Sequence, residues 1–94
     1  MGSDWSKYSI KDAPTVNLRE FELDSVVVNL VPEELALKYK IIAINTAGSS
    51  LVVALPFPAD DRVIFKIEFQ TGYKVEYVYA SERDIMETID RFYD

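Results

Sequence analysis

The 94-residue sequence contains neither cysteine nor histidine. Without cysteine the chain forms no disulfide framework and no thiolate metal site. Without histidine it lacks the commonest general base, the commonest metal ligand and the usual pH switch. These two absences exclude the most frequent catalytic and metal-binding constellations, and the lack of cysteine agrees with a cytoplasmic protein.

Glycine is also scarce, with three residues, which are followed by Ser3, Ser49 and Tyr73. None of these pairs belongs to a phosphate-binding loop of the Gly-Lys-Ser/Thr kind, and there is no dinucleotide fingerprint. The adjacent acids Asp60 and Asp61 are too few for a calcium site, which needs six to eight oxygen ligands, and they suit a helix N-terminus better. The sequence therefore predicts no enzyme, no catalytic residue, no cofactor and no metal.

Basic residues are outnumbered, since 10 Lys and Arg face 16 Asp and Glu, for a formal net charge of −6. Nucleic-acid and anionic-membrane binders need clustered Lys and Arg, so neither partner is expected. The longest apolar runs, such as Leu51–Pro58, are far too short to span a bilayer. We expect a cytoplasmic protein without direct membrane insertion. Hydrophobic residues make up 49% of the chain, which is enough for one core.

The chain divides into an arm and a single domain. Residues 1–14 are polar, carry Trp5 and Tyr8, and show no clear period, so we predict a flexible N-terminal arm. Its aromatic rings either fold back on the core or contact a partner. Residues 15–94 form the predicted domain.

Short helices are expected first along this domain. Asp24 and Ser25 are plausible caps for a short helix over Val26–Leu30, although the valines favour a strand by propensity alone. Pro32 followed by Glu33 indicates the start of a second helix, because proline and acids suit the first turn.

Strands dominate the middle of the chain. Ile41–Ile44 and Leu51–Leu55 are apolar runs around the turn-forming residues Ala47–Ser50, which predicts a hairpin. Tyr73–Tyr79 alternates between two faces and predicts a further strand. Ser81 is expected to cap a final amphipathic helix. Its apolar face comprises Ile85, Met86, Ile89, Phe92 and Tyr93.

The stretch from Val63 to Phe69 is ambiguous. As a strand, it would place Phe65, Ile67 and Phe69 on one face. As a helix, it would separate Ile67 from a second apolar stripe of Phe65 and Phe69, and Gly72 would follow the helix end. The local pattern slightly favours the strand.

A face of three tyrosines, Tyr73, Tyr77 and Tyr79, is a candidate for stacking a base or sugar. Binders of that kind combine their rings with a basic groove, and this chain is acidic. A half-buried sheet face is the better interpretation.

Four aromatic residues are the candidates for binding a protein partner. If the ambiguous stretch is helical, Phe65 and Phe69 face away from the main core, and exposed apolar patches on small domains mark interaction sites. Phe57, between two prolines, and Trp5 are the next candidates, because aromatic anchors are typical of interfaces. The alternative is that residues 1–30 cover the Phe65 and Phe69 stripe.

Several short motifs follow one another along the chain in a familiar order. They are Val16–Leu18, Pro32-Glu33-Glu34-Leu35-Ala36, Tyr39-Lys40, Leu51-Val52-Val53-Ala54, Pro58 with Asp60, Thr71-Gly72-Tyr73-Lys74-Val75, and Ile85, Ile89, Phe92 and Tyr93. Their order and spacing resemble the N-terminal domain of bacterial type II secretion and type IV pilus assembly ATPases. The resemblance covers roughly residues 16–94, with one departure at Ala43, where that family often has proline.

The resemblance implies a helix over Asp60–Gln70 and therefore an α/β fold. The expected architecture is a small mixed three-stranded sheet packed with helices as a two-layer sandwich, in the order α-α-β-β-α-β-α. The implied function is a non-catalytic docking or regulatory domain. It would bind the cytoplasmic part of an inner-membrane assembly protein, or couple that protein to the motor ATPase, in the cytoplasm or recruited to the inner membrane through the partner.

A small-ligand sensing domain is the alternative. Related domains in these ATPases bind cyclic dinucleotides through a helical repeat that begins with Arg-Leu-Gly. The arginines of this chain are Arg19, Arg62, Arg83 and Arg91, and none is followed by Leu-Gly. The resemblance therefore carries no nucleotide site onto this sequence, and a nucleotide would have to bind at the tyrosine face or near Phe57.

Overall fold

The computed structural model describes residues 14–93, so the predicted arm, with Trp5 and all but its last residue, lies outside the described residues. The order of the elements confirms the predicted α-α-β-β-α-β-α arrangement. A 3-10 turn, Leu18–Glu20, comes before all of them. The elements are α1 (Ser25–Val28), α2 (Glu33–Tyr39), β1 (Ile42–Ala47), β2 (Ser50–Leu55), α3 (Asp61–Thr71), β3 (Lys74–Tyr79) and α4 (Glu82–Phe92).

The hairpin of β1 and β2 is longer than the sequence indicated. Ala47 pairs with Ser50, which leaves only Gly48 and Ser49 in the turn, so the predicted four-residue turn is corrected to two residues. Gly48 has φ 62, the left-handed value that short hairpin turns require and glycine adopts without strain. The pairing register of β1 with β2 shifts between Ala43 and Asn45, which marks a bulge in β1.

The third strand joins the hairpin in parallel. The strand order is β1-β2-β3, and β2 pairs with β3 from Ser50 opposite Lys74 to Leu55 opposite Tyr79. Parallel neighbours need a crossover connection, and α3 supplies it. The sheet is therefore mixed, as predicted.

Residues 61–71 are a helix, which resolves the ambiguous stretch as the family resemblance implied and makes the slight local preference for a strand wrong. The Asp60 side chain accepts a hydrogen bond from the backbone N–H of Arg62 at 2.9 Å, which caps the first turn. Gly72 ends the helix with φ 78, the left-handed conformation typical of a residue just past a helix C-terminus.

Side-chain caps also begin α1 and α4. The Asp24 side chain accepts from the Val26 N–H at 2.8 Å. The Ser81 hydroxyl accepts from the Asp84 N–H at 3.1 Å. Both contacts satisfy N–H groups of a first turn, as the sequence predicted. Pro32 stands just before α2 rather than in its first turn, because its ψ of 143 is extended.

One core unites the helices and the sheet. Helix α4 packs against α2, the 3-10 turn, β1 and β2, while α3 packs against β3 and α1 against β1. No helix within residues 14–93 is long and apolar enough to cross a membrane. The largest fully buried side chains are Leu18, Ile41, Ile42, Leu51, Ile67, Ile85, Ile89, Val28, Val31 and Val53.

Candidate docking surface

Helix α3 presents one apolar stripe to the core and another to solvent. Ile67 is fully buried, and Val63 and Ile64 are partly buried against the core. Phe65 and Phe69 lie on the outer side with 72% and 88% of their surface exposed. Residues 1–30 were the alternative cover for this stripe, and the described part of that segment, residues 14–30, leaves both rings open.

The helix that carries these rings is fixed at its C-terminal end by polar contacts. The Glu68 carboxylate accepts a hydrogen bond from the Val75 N–H at 2.9 Å, joining α3 to β3. The Thr71 hydroxyl donates to the Ile67 carbonyl at 2.8 Å and accepts from the Tyr73 N–H at 3.2 Å. The exposed rings are therefore held on a rigid element rather than on a loop.

Positive charge flanks the rings. Arg62 and Lys66 line one shallow depression with Phe65, Phe69 and Glu68, and the Glu68 carboxylate is engaged by the Val75 N–H. We call Arg62, Phe65, Lys66 and Phe69 the α3 surface. Arg62 forms an ion pair with Asp60 at 3.6 Å, but 92% of its side chain is exposed, so the pair contributes little.

The structure separates Phe57 from the α3 surface. Phe57 is 69% exposed in the loop between β2 and α3, and its ring packs edge-on against Tyr79 at 5.2 Å between centroids. It therefore belongs to a second aromatic cluster. Of the four predicted partner-binding residues, the fold brings together Phe65 and Phe69 and leaves Phe57 with the tyrosines, while Trp5 lies outside the described residues.

The tyrosine face is mostly covered, as the sequence indicated. Tyr79 is 4% exposed, and Tyr73 and Tyr77 are half-buried. The rings of Tyr77 and Tyr79 lie 5.7 Å apart. Burial, followed by the neighbouring Tyr79 and by Asp61, raises the pKa of Tyr77 to about 12, so its hydroxyl ionises only at a higher pH than that of a free tyrosine.

The acidic residues of the described chain do not converge on a metal site. Among residues 14–93, no three carboxylates are grouped in a way that could hold an ion. Asp60 caps α3 and pairs with Arg62, while Glu87 pairs with Arg19 at 3.5 Å and Arg83 at 3.4 Å.

Sequence reasoning missed one exposed apolar residue that borders a groove. Leu37 of α2 is 44% exposed and lies opposite Met86 of α4. The sequence contained a signal for this exposure. Leu35 and Ala36 belong to the side of the helix that packs inward, and Leu37 does not lie on that side.

These features define a small α/β domain with a mixed three-stranded sheet and an exposed aromatic helix face. The model of the MshEN domain family matches residues 12–94, and the chain belongs to that family. It is 40% identical over 80 residues to the type IV pilus assembly ATPase PilB of Myxococcus xanthus, a match that covers 85% of this chain and 14% of the relative.

Two solved structures are also similar. The structure of MshE with cdg matches with a TM-score of 0.78 and 29% identity, over 86% of this chain and 59% of that one. The N-terminal domain of XpsE matches with a TM-score of 0.72 and 18% identity, over 87% of this chain and 58% of that one, and shows the fold alone.

The chain is thus an N-terminal domain of the kind found in type II secretion and type IV pilus ATPases, as the resemblance implied. The family model accounts for residues 12–94, and the motor domain is not in these residues. The chain spans about a seventh of the length of the PilB relative.

Proposed function

We propose that this domain is a docking module of a type II secretion or type IV pilus machine. Its partner is the cytoplasmic part of an inner-membrane assembly protein, and binding there couples the partner to the motor ATPase. The domain acts in the cytoplasm and is recruited to the inner membrane through this partner. The observation that carries the proposal is the exposure of Phe65 and Phe69 on a capped, rigid helix.

The energetic argument rests on apolar area. A phenylalanine ring gains about 1.5–3 kcal/mol when it moves from water into a packed interface. Phe65 and Phe69 are four residues apart on one helix, so both can enter a single hydrophobic groove of a partner. Neither ring is needed for the core, because Ile67 supplies the buried contact of α3.

The flanking charges give the proposed contact its orientation. Arg62 and Lys66 line the same depression as the two rings, and within residues 14–93 Lys66 has no ion-pair partner. Complementary charges on the partner would speed association and set the register rather than supply most of the affinity. A partner groove with an apolar centre and acidic rim fits this surface.

The test is a calorimetric titration of the domain with the purified cytoplasmic part of the assembly protein from the same organism. The double variant Phe65→Ala/Phe69→Ala should bind at least about 30-fold more weakly, the factor that corresponds to a loss of about 2 kcal/mol. Alanine favours the helix, so the variant should stay folded.

The matched control is Phe21→Ala/Val26→Ala, which removes two other exposed apolar side chains. It should bind as the unchanged domain does. Equal affinities for all three proteins would exclude the α3 surface. If the domain bound the motor ATPase but not the assembly protein, the motor ATPase would be its partner and the proposed partner would be wrong.

Nucleotide sensing is the second candidate, and the observation that favours it is the similar structure of MshE with cdg, which is cyclic di-GMP. Arg19 and Arg91 line one small pocket with Glu87, but carboxylates already engage three of the four arginines. Arg19 and Arg83 pair with Glu87, and Arg62 pairs with Asp60. A phosphate would have to compete with these carboxylates for each of the three guanidinium groups.

A titration of the domain with cyclic di-GMP, followed by amide NMR shifts, decides between the candidates. Docking alone predicts no saturable shifts. Saturable shifts at Phe57, Tyr77 and Tyr79 would support the sensing function instead.

A further inference from the structure

Helices α2 and α4 enclose a groove on a different part of the surface from the α3 surface. Its volume is about 450 Å³. The floor is apolar, because it is formed by Leu37 from α2 and by Met86, Ile89 and Tyr93 from α4 and its C-terminal end. Leu37 is 44% exposed and Met86 is half-buried, so the groove offers apolar surface to a partner.

The rim of this groove is acidic. Glu33, Glu87 and Asp90 line it, and no lysine or arginine of residues 14–93 does. Glu87 is neutralised by Arg19 and Arg83. Glu33 and Asp90 form no ion pair with any residue of the described chain, so their two charges remain uncompensated beside an apolar floor.

The basic residues of the two helices leave Glu33 and Asp90 uncompensated, because Arg83 meets the rim only at Glu87 and the others lie over neighbouring rings. The Lys38 ammonium group lies over the ring of Tyr39, 5.4 Å from its centroid, and Arg91 lies over Phe92 at 5.6 Å. Arg83 pairs with Glu87 at 3.4 Å. The groove therefore keeps a negative rim although basic residues stand next to it along both helices.

Asp90 lies where a carboxylate disfavours the helix. The last turn of α4 ends at Phe92, and the C-terminal end of a helix carries a partial negative charge that favours cations. An acid at this position works against helix stability, and such local conflicts are expected at functional sites. Together with Glu33 on the facing helix, Asp90 completes an acidic rim and lowers helix stability slightly.

We propose that the groove between α2 and α4 binds a basic amphipathic segment of a protein partner. An apolar side chain of the segment enters between Leu37 and Met86, while its lysines or arginines meet Glu33 and Asp90. The inference is independent of the docking role of the α3 surface, which is aromatic and carries the opposite charge.

The probe is a synthetic amphipathic peptide of leucine and lysine, about 14 residues or four helical turns long. A second peptide has the same leucine positions and glutamate in place of every lysine. Binding is followed by NMR on the methyl groups of Leu37, Met86 and Ile89 at low ionic strength. The basic peptide should shift these methyl groups saturably, and the acidic peptide should leave them unchanged.

Two charge variants separate the groove from general attraction between a basic peptide and an acidic protein. Glu33→Lys/Asp90→Lys should weaken binding of the basic peptide about tenfold, the factor for about 1.4 kcal/mol, and should admit the acidic peptide. Glu20→Lys/Glu22→Lys changes the net charge by the same amount at two exposed positions outside the groove and should bind as the unchanged domain does.

Three results would overturn the proposal. The first is an equal loss in both charge variants, which would mean that net charge alone attracts the peptide. The second is a set of shifts that maps away from the groove. The third is a groove already filled by the α3 surface of a second copy, which would appear as concentration-dependent self-association that the Phe65→Ala/Phe69→Ala variant abolishes. If charge reversal unfolds the domain, Glu33→Gln/Asp90→Asn provides the same comparison with smaller effects.

Discussion

The hydroxyl of Tyr93 donates a hydrogen bond to the backbone carbonyl of Val28 at 2.6 Å, across 65 positions of sequence. The carbonyl oxygen of Val31 also lies within hydrogen-bond distance of this hydroxyl, so the two carbonyls share its single proton. These carbonyls lie at the end of α1 and just before α2. The Tyr93 side chain at the end of α4 therefore holds the segment that connects the first two helices. The contact is buried and joins the C-terminal end of the described chain to its N-terminal helices.

Replacing Tyr93 with phenylalanine should destabilise the domain by about 1–3 kcal/mol, because two buried carbonyl groups lose the one donor that they share while the ring remains. The measurement is urea unfolding followed by circular dichroism. Tyr73→Phe is the control, since the Tyr73 side chain is only half-buried and makes no comparable contact within residues 14–93. A Tyr93→Phe variant as stable as the control would show that the bond contributes nothing.

The stability of the domain should fall between pH 10 and pH 12. Burial, and then the carboxylate of Glu33, raises the pKa of Tyr93 from 10.0 to about 12. Above pH 10 the unfolded chain releases the phenolic proton while the folded chain retains it, so unfolding becomes more favourable as pH rises. A shift of this size corresponds to about 2–3 kcal/mol.

The half-buried Tyr77, whose pKa is also raised to about 12, adds a smaller part in the same window. The check is the free energy of unfolding measured at intervals of pH. Tyr93→Phe should flatten the decline, while below pH 10 its stability should be lower but run parallel to that of the unchanged domain. An unchanged slope would mean that Tyr93 ionises equally in both states.

Local signals predicted the ends of the elements well, because caps depend on residues a few positions apart. Asp60, Gly72 and Ser81 act as the sequence indicated. The local pattern did not decide whether residues 63–69 form a strand or a helix, since their apolar positions fit both the strand period and the helix period. Whether α3 forms depends on the parallel pairing of β2 with β3, which requires a crossover that no short window of sequence reveals.

Contacts between distant segments were the other features that the sequence did not reveal. The bridge between Thr15 and Tyr79 joins the start of the described chain to the last strand, and nothing near either residue predicts it. Lys40 takes a left-handed φ of 59 at the end of α2, where glycine would be the expected residue. The α2–α4 groove likewise exists only once the two helices are packed together, and Leu37 gave the single hint.

The hydrogen bond from the Val75 N–H to the Glu68 carboxylate should stabilise the junction between α3 and β3. Glu68→Ala leaves this part-buried N–H without its side-chain acceptor and should destabilise the domain by about 1–2 kcal/mol. Glu68→Gln retains an acceptor oxygen and should lose less than half of that. Amide hydrogen exchange at Val75 checks the cause, because it should accelerate in the alanine variant and stay slow in the glutamine variant.

An added methyl group at Gly72 should destabilise the domain by backbone strain alone. Its φ is 78, and an added Cβ would meet no atom within 4 Å. Gly72→Ala should therefore destabilise by about 1–2 kcal/mol without any steric clash.

Lys40→Gly makes the reverse change, since Lys40 has a φ of 59. The ion pair of Lys40 with Glu82 at 3.8 Å is exposed, so its loss should matter little. The variant should therefore be neutral or stabilising. Thermal unfolding of Gly72→Ala and Lys40→Gly tests the pair, and equal losses would contradict the strain argument.

Truncating side chains on the two faces of α3 should change the stability of the domain by very different amounts. Ile67→Ala removes a side chain that is fully buried, and it should destabilise the domain by about 2–4 kcal/mol. Phe65→Ala and Phe69→Ala remove larger side chains from the exposed face, yet each should change stability by no more than about 0.5 kcal/mol. Chemical denaturation of the three single variants measures this contrast. A strand would place all three residues on one face and make the losses similar, so comparable destabilisation would contradict both the helix and the free α3 surface.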